Sequence, residues 1–437
     1  MVTGSDSSLV DAARRLIPEV SRESGLSVVR RLAVARTTRS KLNEYLLGEL
    51  ADELPAERAQ AVTAVYARLG LLPDSVDLLG LLRKLYLEQV VGYYDARRDT
   101  LYVREGVGEE LFRPVLVHEM VHALQDEHED LDSLVNARRD DNDASSAARA
   151  ALEGQATFVM LEWQLRRTLG RDVDLTAMPS VASLIGSTDV MAAGAGSSPE
   201  LAGAPPFIQQ SLLFPYMAGL AFVQALWKER PGRPAPLGAD MPASTEQVLH
   251  PRRFLSSPRD APTSLSFTDS LDRPAGTGWR EVHTDDLGEF ETRAFLSAFL
   301  GDTARAASAA KGWDGDRYRL LRRCGAGAEE TACPEALVWA SVWDDAPAAD
   351  SFVVAVKAAE AARYGARTRA GEGTTGGGAG LAPPASRLDT LAGAGRILEV
   401  RRLEVDGRPA VIVVDAPAEE DVAPVRAAAR FTVRGGG

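Results

Sequence analysis

The chain has 437 residues, of which 45% are hydrophobic and 25% charged, a composition typical of a soluble globular protein with two or three domains. The formal net charge is -13, and no basic stripe is present, which argues against nucleic acid as a partner. No apolar run reaches about 18 residues, so the sequence predicts no transmembrane segment.

The N-terminus and the two cysteines leave the cellular location open. The first residues show no basic region followed by an apolar one, so no signal peptide is predicted. Cys324 and Cys333 either form a disulfide across a short loop or remain free thiols, and the sequence favours neither. An extracytoplasmic location is expected if Met1 follows a removed leader and these cysteines are bonded, and a cytoplasmic one otherwise.

The predicted elements follow one another in three stretches. Apolar residues at three- and four-residue spacing predict helices throughout residues 1–85. Two runs rich in Val and Tyr then flank DARRD in residues 90–105 and predict a β-hairpin. Pro114 predicts the start of a helix that carries VHEMVHALQDEH, and two further helices carry ALEGQA and FPYMAG.

The pattern changes from about residue 268. Strands such as DRYRLLR and ALVWASVW alternate with helices, and Asp406-Gly407 predicts a hairpin turn. These features predict a small C-terminal α+β domain at residues 268–437. Its Gly-rich insert near residues 365–384 is expected to be mobile.

Three of the five histidines lie within the first of the motif-bearing helices. His118 and His122 are one helical turn apart, so their imidazoles face the same side, about 6 Å apart along the axis. Glu119 completes the pattern HExxH, which is that of two zinc ligands and a general base. Because the flanking residues are apolar, these polar groups need partners, and a bound metal provides one.

Two residues compete for the role of third ligand. His128 stands where HExxHxxGxxH zinc peptidases have their third histidine, but Gln125 replaces the glycine at which that helix turns. Glu153 is favoured, because it lies on the next helix among small and apolar residues, with Gly154 permitting close helix approach. Two imidazoles and one carboxylate would leave a fourth position for water on one Zn²⁺ per chain.

These residues resemble the gluzincin class of zinc metallopeptidases, in which a glutamate on a following helix completes HExxH. The chain is most similar to a poorly characterised group of prokaryotic predicted metallopeptidases, through the blocks EQVVGYYD, HEMVHALQDEH, EGQAT, FPYMAGLAFV and PASTEQVLHP. The resemblance implies an α+β fold with a mainly helical, zincin-like core and a short antiparallel sheet at residues 86–265. The N-terminal helical region at 1–85 is predicted from the spacing of its apolar residues. The resemblance also implies that the hairpin ending in TLYV supplies an edge strand for an extended peptide.

The predicted function is zinc-dependent hydrolysis of a peptide or protein substrate, with Glu119 accepting the proton of a metal-activated water. His250 and Tyr216 are candidates for stabilising the oxyanion, and Thr157 for a hydrogen bond to a ligating imidazole. One alternative is a catalytically silent zincin-like protein whose C-terminal domain engages a partner. A di-iron carboxylate protein would need a second Glu-x-x-His copy, which the sequence lacks.

Overall fold

The structure is a computed structural model, and it describes residues 2–181, 199–268, 278–325, 327, 333–364, 367–370, 388–393 and 395–435. The chain forms two compact units: unit 1 comprises Met1–Ala56 and Asp77–Asp260, and unit 2 comprises Glu57–Val76 and Ala261–Gly437. Each unit combines helices with β-sheet, which confirms the predicted α+β class. Among the described residues, no helix has the length and apolar character needed to cross a membrane.

The two units divide the predicted N-terminal region. Most of residues 1–85 belong to unit 1, but helix α3 (Ala56–Arg68) lies almost wholly in unit 2. There Arg58 pairs with Asp285 at 2.9 Å, and the hydroxyl of Tyr66 donates a hydrogen bond to Glu291 at 2.9 Å. These contacts join residues more than 220 positions apart, which no local pattern could predict.

Unit 1 contains a four-stranded sheet. Its strands are β1 (Val2–Thr3), β2 (Leu32–Thr37), β3 (Gly92–Asp95) and β4 (Thr100–Arg104), in the order β1-β2-β4-β3. Strands β1, β2 and β4 are parallel, whereas β3 is antiparallel to β4. The predicted hairpin β3–β4 is confirmed. Of the two hairpin strands, β3 lies at an edge of the sheet, because β2 pairs with the other side of β4.

The expectation that residues 1–85 are helical throughout is wrong, since β1 and β2 lie among the helices. Strand β2 buries Leu32 and Val34 on one face and leaves the intervening residue less buried. This two-residue period extends over only six residues, between two long segments of helical period. A strand this short is therefore hard to distinguish from its helical surroundings.

The helices of unit 1 carry the sequence motifs. The described ones are α1 (Ser7–Ser24), α2 (Arg39–Glu53), α4 (Leu78–Gln89), α5 (Glu109–His128), α6 (Leu131–Asn136), α7 (Asn142–Leu169), α8 (Pro199–Gly203), α9 (Pro206–Glu229), α10 (Thr245–Leu249) and α11 (Pro251–Leu255). Helix α5 packs against β3, β4 and α7, and α7 packs against α9. The HExxH, EGQAT and FPYMAG segments are thereby brought together.

Helix α5 begins at Glu109 and not at Pro114 as predicted. Gly108 is its N-cap and offers no side-chain hydrogen bond. Pro114 lies in the second turn, where the missing N–H costs one backbone hydrogen bond. The helix continues through both histidines of the HExxH pattern, so their expected spacing on one face is retained.

Helices α7 and α9 cross at a pair of glycines. A Cβ atom on Gly154 would lie 2.2 Å from the carbonyl carbon of Gly219, and one on Gly219 would lie 1.8 Å from the carbonyl oxygen of Ala150. Neither position has room for a side chain. The crossing brings Tyr216, one turn before Gly219, close to Glu153.

Unit 2 is built on a seven-stranded antiparallel sheet in the order β6-β7-β8-β12-β11-β10-β9. Its strands are β6 (Arg280–Asp285), β7 (Trp313–Arg322), β8 (Glu335–Trp343), β9 (Arg367–Ala370), β10 (Leu388–Gly393), β11 (Arg396–Val405) and β12 (Arg408–Ala416), and β5 (Ser264–Phe267) pairs with β13 (Phe431–Arg434). Besides α3, its described helices are α12 (Gly288–Leu300), α13 (Thr303–Ala310), α14 (Ala346–Tyr364) and α15 (Glu419–Ala427).

Several predicted features of the C-terminal domain are present in unit 2. Asp406 and Gly407 have φ angles of 51° and 79° and form the predicted turn between β11 and β12. Of the two states that the sequence left open for Cys324 and Cys333, the structure shows the disulfide. Of the Gly-rich insert predicted near residues 365–384, only the stretch that forms β9 lies within the described residues.

Candidate metal centre

Three side chains that can bind a metal converge between α5 and α7. The Nε2 atom of His118 lies 3.1 Å from Nε2 of His122 and 3.1 Å from Oε2 of Glu153. Nε2 of His122 lies 3.5 Å from the same carboxylate oxygen. All three ligand atoms lie within 4.8 Å of one another, so this group could hold a metal ion.

The three groups are largely but not completely buried. The side chains of His118, His122 and Glu153 are 13%, 15% and 26% exposed, which leaves an approach from solvent. Burial alone would lower the pKa of His122, but the carboxylate of Glu153 outweighs it and raises this pKa to about 9. Burial likewise opposes ionisation of Glu153, yet the two imidazoles hold its pKa far below the usual range.

A chain of amide groups fixes the orientation of His122. Its Nδ1 atom lies 2.8 Å from Oε1 of Gln125, and Nε2 of Gln125 donates to Oε1 of Gln155 at 2.9 Å. Nε2 of Gln155 in turn donates to the carbonyl oxygen of Ser24 at 2.8 Å. Gln125 therefore occupies the position where the HExxHxxGxxH pattern has glycine, and from there it bonds His122, one of the candidate ligands.

Glu119 points toward the edge of the sheet. Gly92 on β3 lies so close to α5 that an added Cβ would be 2.7 Å from Cγ1 of Val115. This close approach lets the backbone N–H of Tyr94 donate a hydrogen bond to the carboxylate of Glu119. Burial raises the pKa of Glu119 despite the opposing charges of His118 and His122. A carboxyl with a raised pKa is better suited to accept and return a proton near neutral pH.

Tyr216, an expected oxyanion donor, lies beside the three ligand residues. Its ring centroid is 6.4 Å from that of His118. The carboxylate of Glu153 and burial raise the pKa of Tyr216 well above its usual value, so its hydroxyl keeps the proton. A neutral phenol at this place can donate a hydrogen bond.

The structure brings His250 into no group of metal-binding side chains among the described residues. It directly follows α10, whose first residue, Thr245, donates its backbone N–H to Asp143 at 2.9 Å. Asp143 precedes Glu153 by ten residues on α7, or about 15 Å along the helix axis. The proposed role of His250 in catalysis stays a prediction.

His128 and Thr157 take no part in the arrangement. Nε2 of His128 lies 2.9 Å from the carbonyl oxygen of Ser27, at the exposed end of α5, so Glu153 and not His128 completes the group of possible ligands. The hydroxyl of Thr157 is buried, and it makes no hydrogen bond to the part of the chain that the structure describes. The imidazole partner expected from Thr157 is supplied by Gln125 instead.

Sequence reasoning did not identify Gln125, Gln155 and Tyr94 as parts of the centre. Both glutamines are completely buried on helices whose other buried residues are mostly apolar. A buried amide needs hydrogen-bonding partners, so a glutamine among apolar helix positions indicates a polar contact in the interior. The contribution of Tyr94 is a backbone N–H, which leaves no mark in the amino-acid sequence.

The comparisons with known proteins concern the other unit. A family model described as a domain of unknown function, DUF8575, matches residues 273–426. This range covers all seven strands of the large sheet and none of the helices that carry the candidate ligands. No curated protein and no solved structure gives a significant match. These comparisons therefore assign no function to the candidate metal centre.

Proposed function

We propose that this protein is a zinc metallopeptidase in which His118, His122 and Glu153 hold one Zn²⁺ per chain and Glu119 is the general base. The observation that carries the proposal is the convergence of these three ligand atoms within 4.8 Å, with Glu119 on the same helix beside an edge strand. This combination also supports the resemblance to gluzincins and a zincin-like core in unit 1.

The donor set suits zinc. Imidazole nitrogen and carboxylate oxygen are common zinc ligands, and three protein ligands are typical of catalytic sites rather than structural ones. The chain's two cysteines are bonded to each other, so neither can bind zinc as a thiolate. When bound, zinc would polarise the scissile carbonyl and lower the pKa of water at the fourth position.

The edge strand β3 offers a binding surface for an extended peptide. Tyr93 is paired with Tyr102, and the carbonyl of Val91 accepts a hydrogen bond from Arg104. Because paired and unpaired positions alternate in an antiparallel ladder, the backbone groups of Gly92 and Tyr94 point away from β4. The N–H of Tyr94 already donates to Glu119, so a substrate would have to pair through the two carbonyls and the N–H of Gly92. A substrate backbone that adds to this edge would be held largely independently of its sequence.

Two side chains of the centre have complementary tasks in hydrolysis. Glu119 accepts a proton from the attacking water and returns it to the leaving amine. Tyr216 keeps its phenolic proton, and its place beside His118 suits a hydrogen bond to the oxyanion that forms at the scissile carbonyl. The substitution Tyr216→Phe would remove this donor with little change in shape.

The decisive experiment combines metal analysis with a peptide-library digest read by mass spectrometry. We expect about one zinc per chain and cleavage by the wild-type protein. Glu119→Gln should retain zinc and lose activity by roughly 10²–10⁴-fold, the usual contribution of a general base. Glu110→Gln is the matched control, because Glu110 is an exposed glutamate on the same helix.

Three outcomes would count against the proposal. Full activity in Glu119→Gln would remove this residue from its role. A wild-type protein that holds zinc but cleaves no peptide would favour the catalytically silent binding protein. Two irons per chain would favour a di-iron carboxylate protein.

A further inference from the structure

We propose that two buried amides connect the C-terminal end of α1 to His122 and determine which of its ring nitrogens binds the metal. The connection consists of the Ser24 carbonyl, Gln155, Gln125 and the imidazole of His122. It rests on the proposed zinc centre. It makes Gln125 and Gln155 positioning residues that contact no substrate.

The direction of each hydrogen bond in this series follows from the Ser24 carbonyl at its end. A backbone carbonyl can only accept, so the group of Gln155 that faces Ser24 must be its NH₂. The oxygen of Gln155 then faces Gln125 and must accept from the NH₂ group of Gln125. The same NH₂ group also donates to the carbonyl of Leu152 at 3.1 Å, so both of its hydrogens are used.

Only the oxygen of Gln125 remains for His122. Because this oxygen accepts, Nδ1 of His122 must carry a hydrogen and donate it. The Nε2 atom is then the nitrogen with a free lone pair when the ring is neutral. It is also the nitrogen that faces His118 and Glu153, at 3.1 and 3.5 Å. The tautomer of His122 is thus determined by the backbone carbonyl of Ser24, through three successive hydrogen bonds.

The starting carbonyl lies at a helix end. Ser24 is the last residue of α1, and Gly25 follows in the left-handed conformation with φ of 73°. Carbonyls of the last turn lack intrahelical partners and carry the negative end of the helix dipole, equivalent to roughly half a charge. An imidazole that donates its second N–H toward negative charge is a more basic metal ligand. In many metal sites a carboxylate accepts this hydrogen bond.

Burial protects this series of hydrogen bonds from water. Ser24, Gln125 and Gln155 are completely inaccessible to solvent, so water does not compete for their hydrogen bonds. A single break would leave buried donors or acceptors unpaired, which is costly. The two amides are neutral, so they orient His122 without adding a second full negative charge beside Glu153.

The first test measures zinc affinity by competition with a chelator. Gln155→Glu keeps the size of the side chain but removes the donor to Ser24, and Gln155→Leu removes both bonds. We expect each variant to bind zinc on the order of 10-fold or more weakly. Gln224→Leu is the matched control: Gln224 is also buried in unit 1, where it bonds the backbone of Leu175 and Val181.

The control separates positioning from loss of folding. Gln224→Leu should lower stability and leave zinc affinity unchanged. Equal losses of affinity in all three variants would overturn the proposal, as would wild-type affinity in Gln155→Glu and Gln155→Leu. A variant that does not fold still leaves the second measurement, which uses the wild-type chain.

The second test is nitrogen NMR of the zinc-loaded protein labelled at its five histidines. We expect His122 to bind through Nε2 and to show a slowly exchanging hydrogen on Nδ1. Zinc on Nδ1, or an Nδ1 without a hydrogen, would overturn the inference. Neither test depends on turnover, so a zinc-loaded protein that cleaves nothing would contradict the peptidase and leave this inference standing. A chain that takes up no zinc would contradict both.

Discussion

The carboxylate of the candidate metal centre in unit 1 has different partners from the buried carboxylates of unit 2. In unit 2, buried carboxylates pair with arginine: Asp415 lies 2.6 Å from Arg396, and Glu399 lies 2.8 Å from Arg426. In unit 1, Glu153 pairs with two histidines and, within the described residues, with no lysine or arginine. A carboxylate beside arginine has its charge balanced by the protein. A carboxylate that shares a space of a few ångströms with two imidazole nitrogens presents a ligand set for a cation.

The strongest way to test this contrast is to remove one carboxylate charge from each unit. We expect Glu153→Gln to weaken zinc binding by more than roughly 100-fold, the upper range for residues that only orient a ligand. Glu399→Gln should leave zinc affinity unchanged and change the free energy of unfolding little, because burial raises the pKa of Glu399 despite the charge of Arg426. The measurements are chelator competition and urea denaturation. Zinc affinity that survives in Glu153→Gln would mean that the carboxylate is not a ligand.

The candidate ligands of the centre could be predicted from sequence because their chemistry is local. His118, Glu119 and His122 share one helical face, and Glu153 stood out as a carboxylate on a face of small and apolar residues. The partners of these ligands could not be predicted in the same way. Gln155 reaches Ser24 across 131 positions, and Tyr94 contributes only its backbone. Such contacts depend on how helices and strands pack, which the spacing of residues does not encode.

In unit 2, breaking a buried ion pair should have the next largest effect. Arg396→Leu would remove the arginine that forms an ion pair with Asp415, which is 4% exposed. We expect a loss of about 3–5 kcal/mol in the free energy of unfolding. Arg402→Leu is the control on the same strand, because its partner Asp350 is 69% exposed and such pairs contribute at most about 1 kcal/mol. Equal losses in both variants would contradict a special role for the buried pair.

A smaller effect is expected at the helix crossing of unit 1. In Gly154→Ala the new methyl would lie 2.2 Å from Gly219, so α7 and α9 must separate at a cost of about 1–3 kcal/mol. Because Glu153 is the preceding residue, zinc affinity should fall as well. Gly48→Ala is the control: no atom lies within 4 Å of its added Cβ, and alanine favours the helix by roughly 0.5–1 kcal/mol. Unchanged stability in Gly154→Ala would contradict the close packing.

The fold was predictable where the local pattern was long. The hairpin β11–β12 follows from its alternating apolar residues and from Asp406-Gly407, whose backbone requires positive φ. By contrast, β2 has six residues and takes its place from pairing with β4, more than 60 positions away. Helix α3 shows the same limit, because its helical period says nothing about which unit it joins.

The smallest expected effect is the pH dependence of stability that Glu360 gives to unit 2. Burial outweighs the charge of Arg363 and raises the pKa of Glu360 to about 8. The folded protein therefore keeps this proton between about pH 4.5 and pH 8, whereas the unfolded chain has lost it. Since the folded state binds more protons in this window, its stability falls as the pH rises.

Glu360→Gln should remove this dependence, because glutamine does not ionise. One pKa unit corresponds to about 1.4 kcal/mol, so the variant should exceed the wild type by roughly 2 kcal/mol or more at pH 8 and match it near pH 5. Urea denaturation at the two pH values measures the difference, with Glu404→Gln, an exposed glutamate on β11, as the control. A variant less stable than the wild type at pH 8 would mean that Arg363 keeps Glu360 ionised, as in the other ion pairs of unit 2.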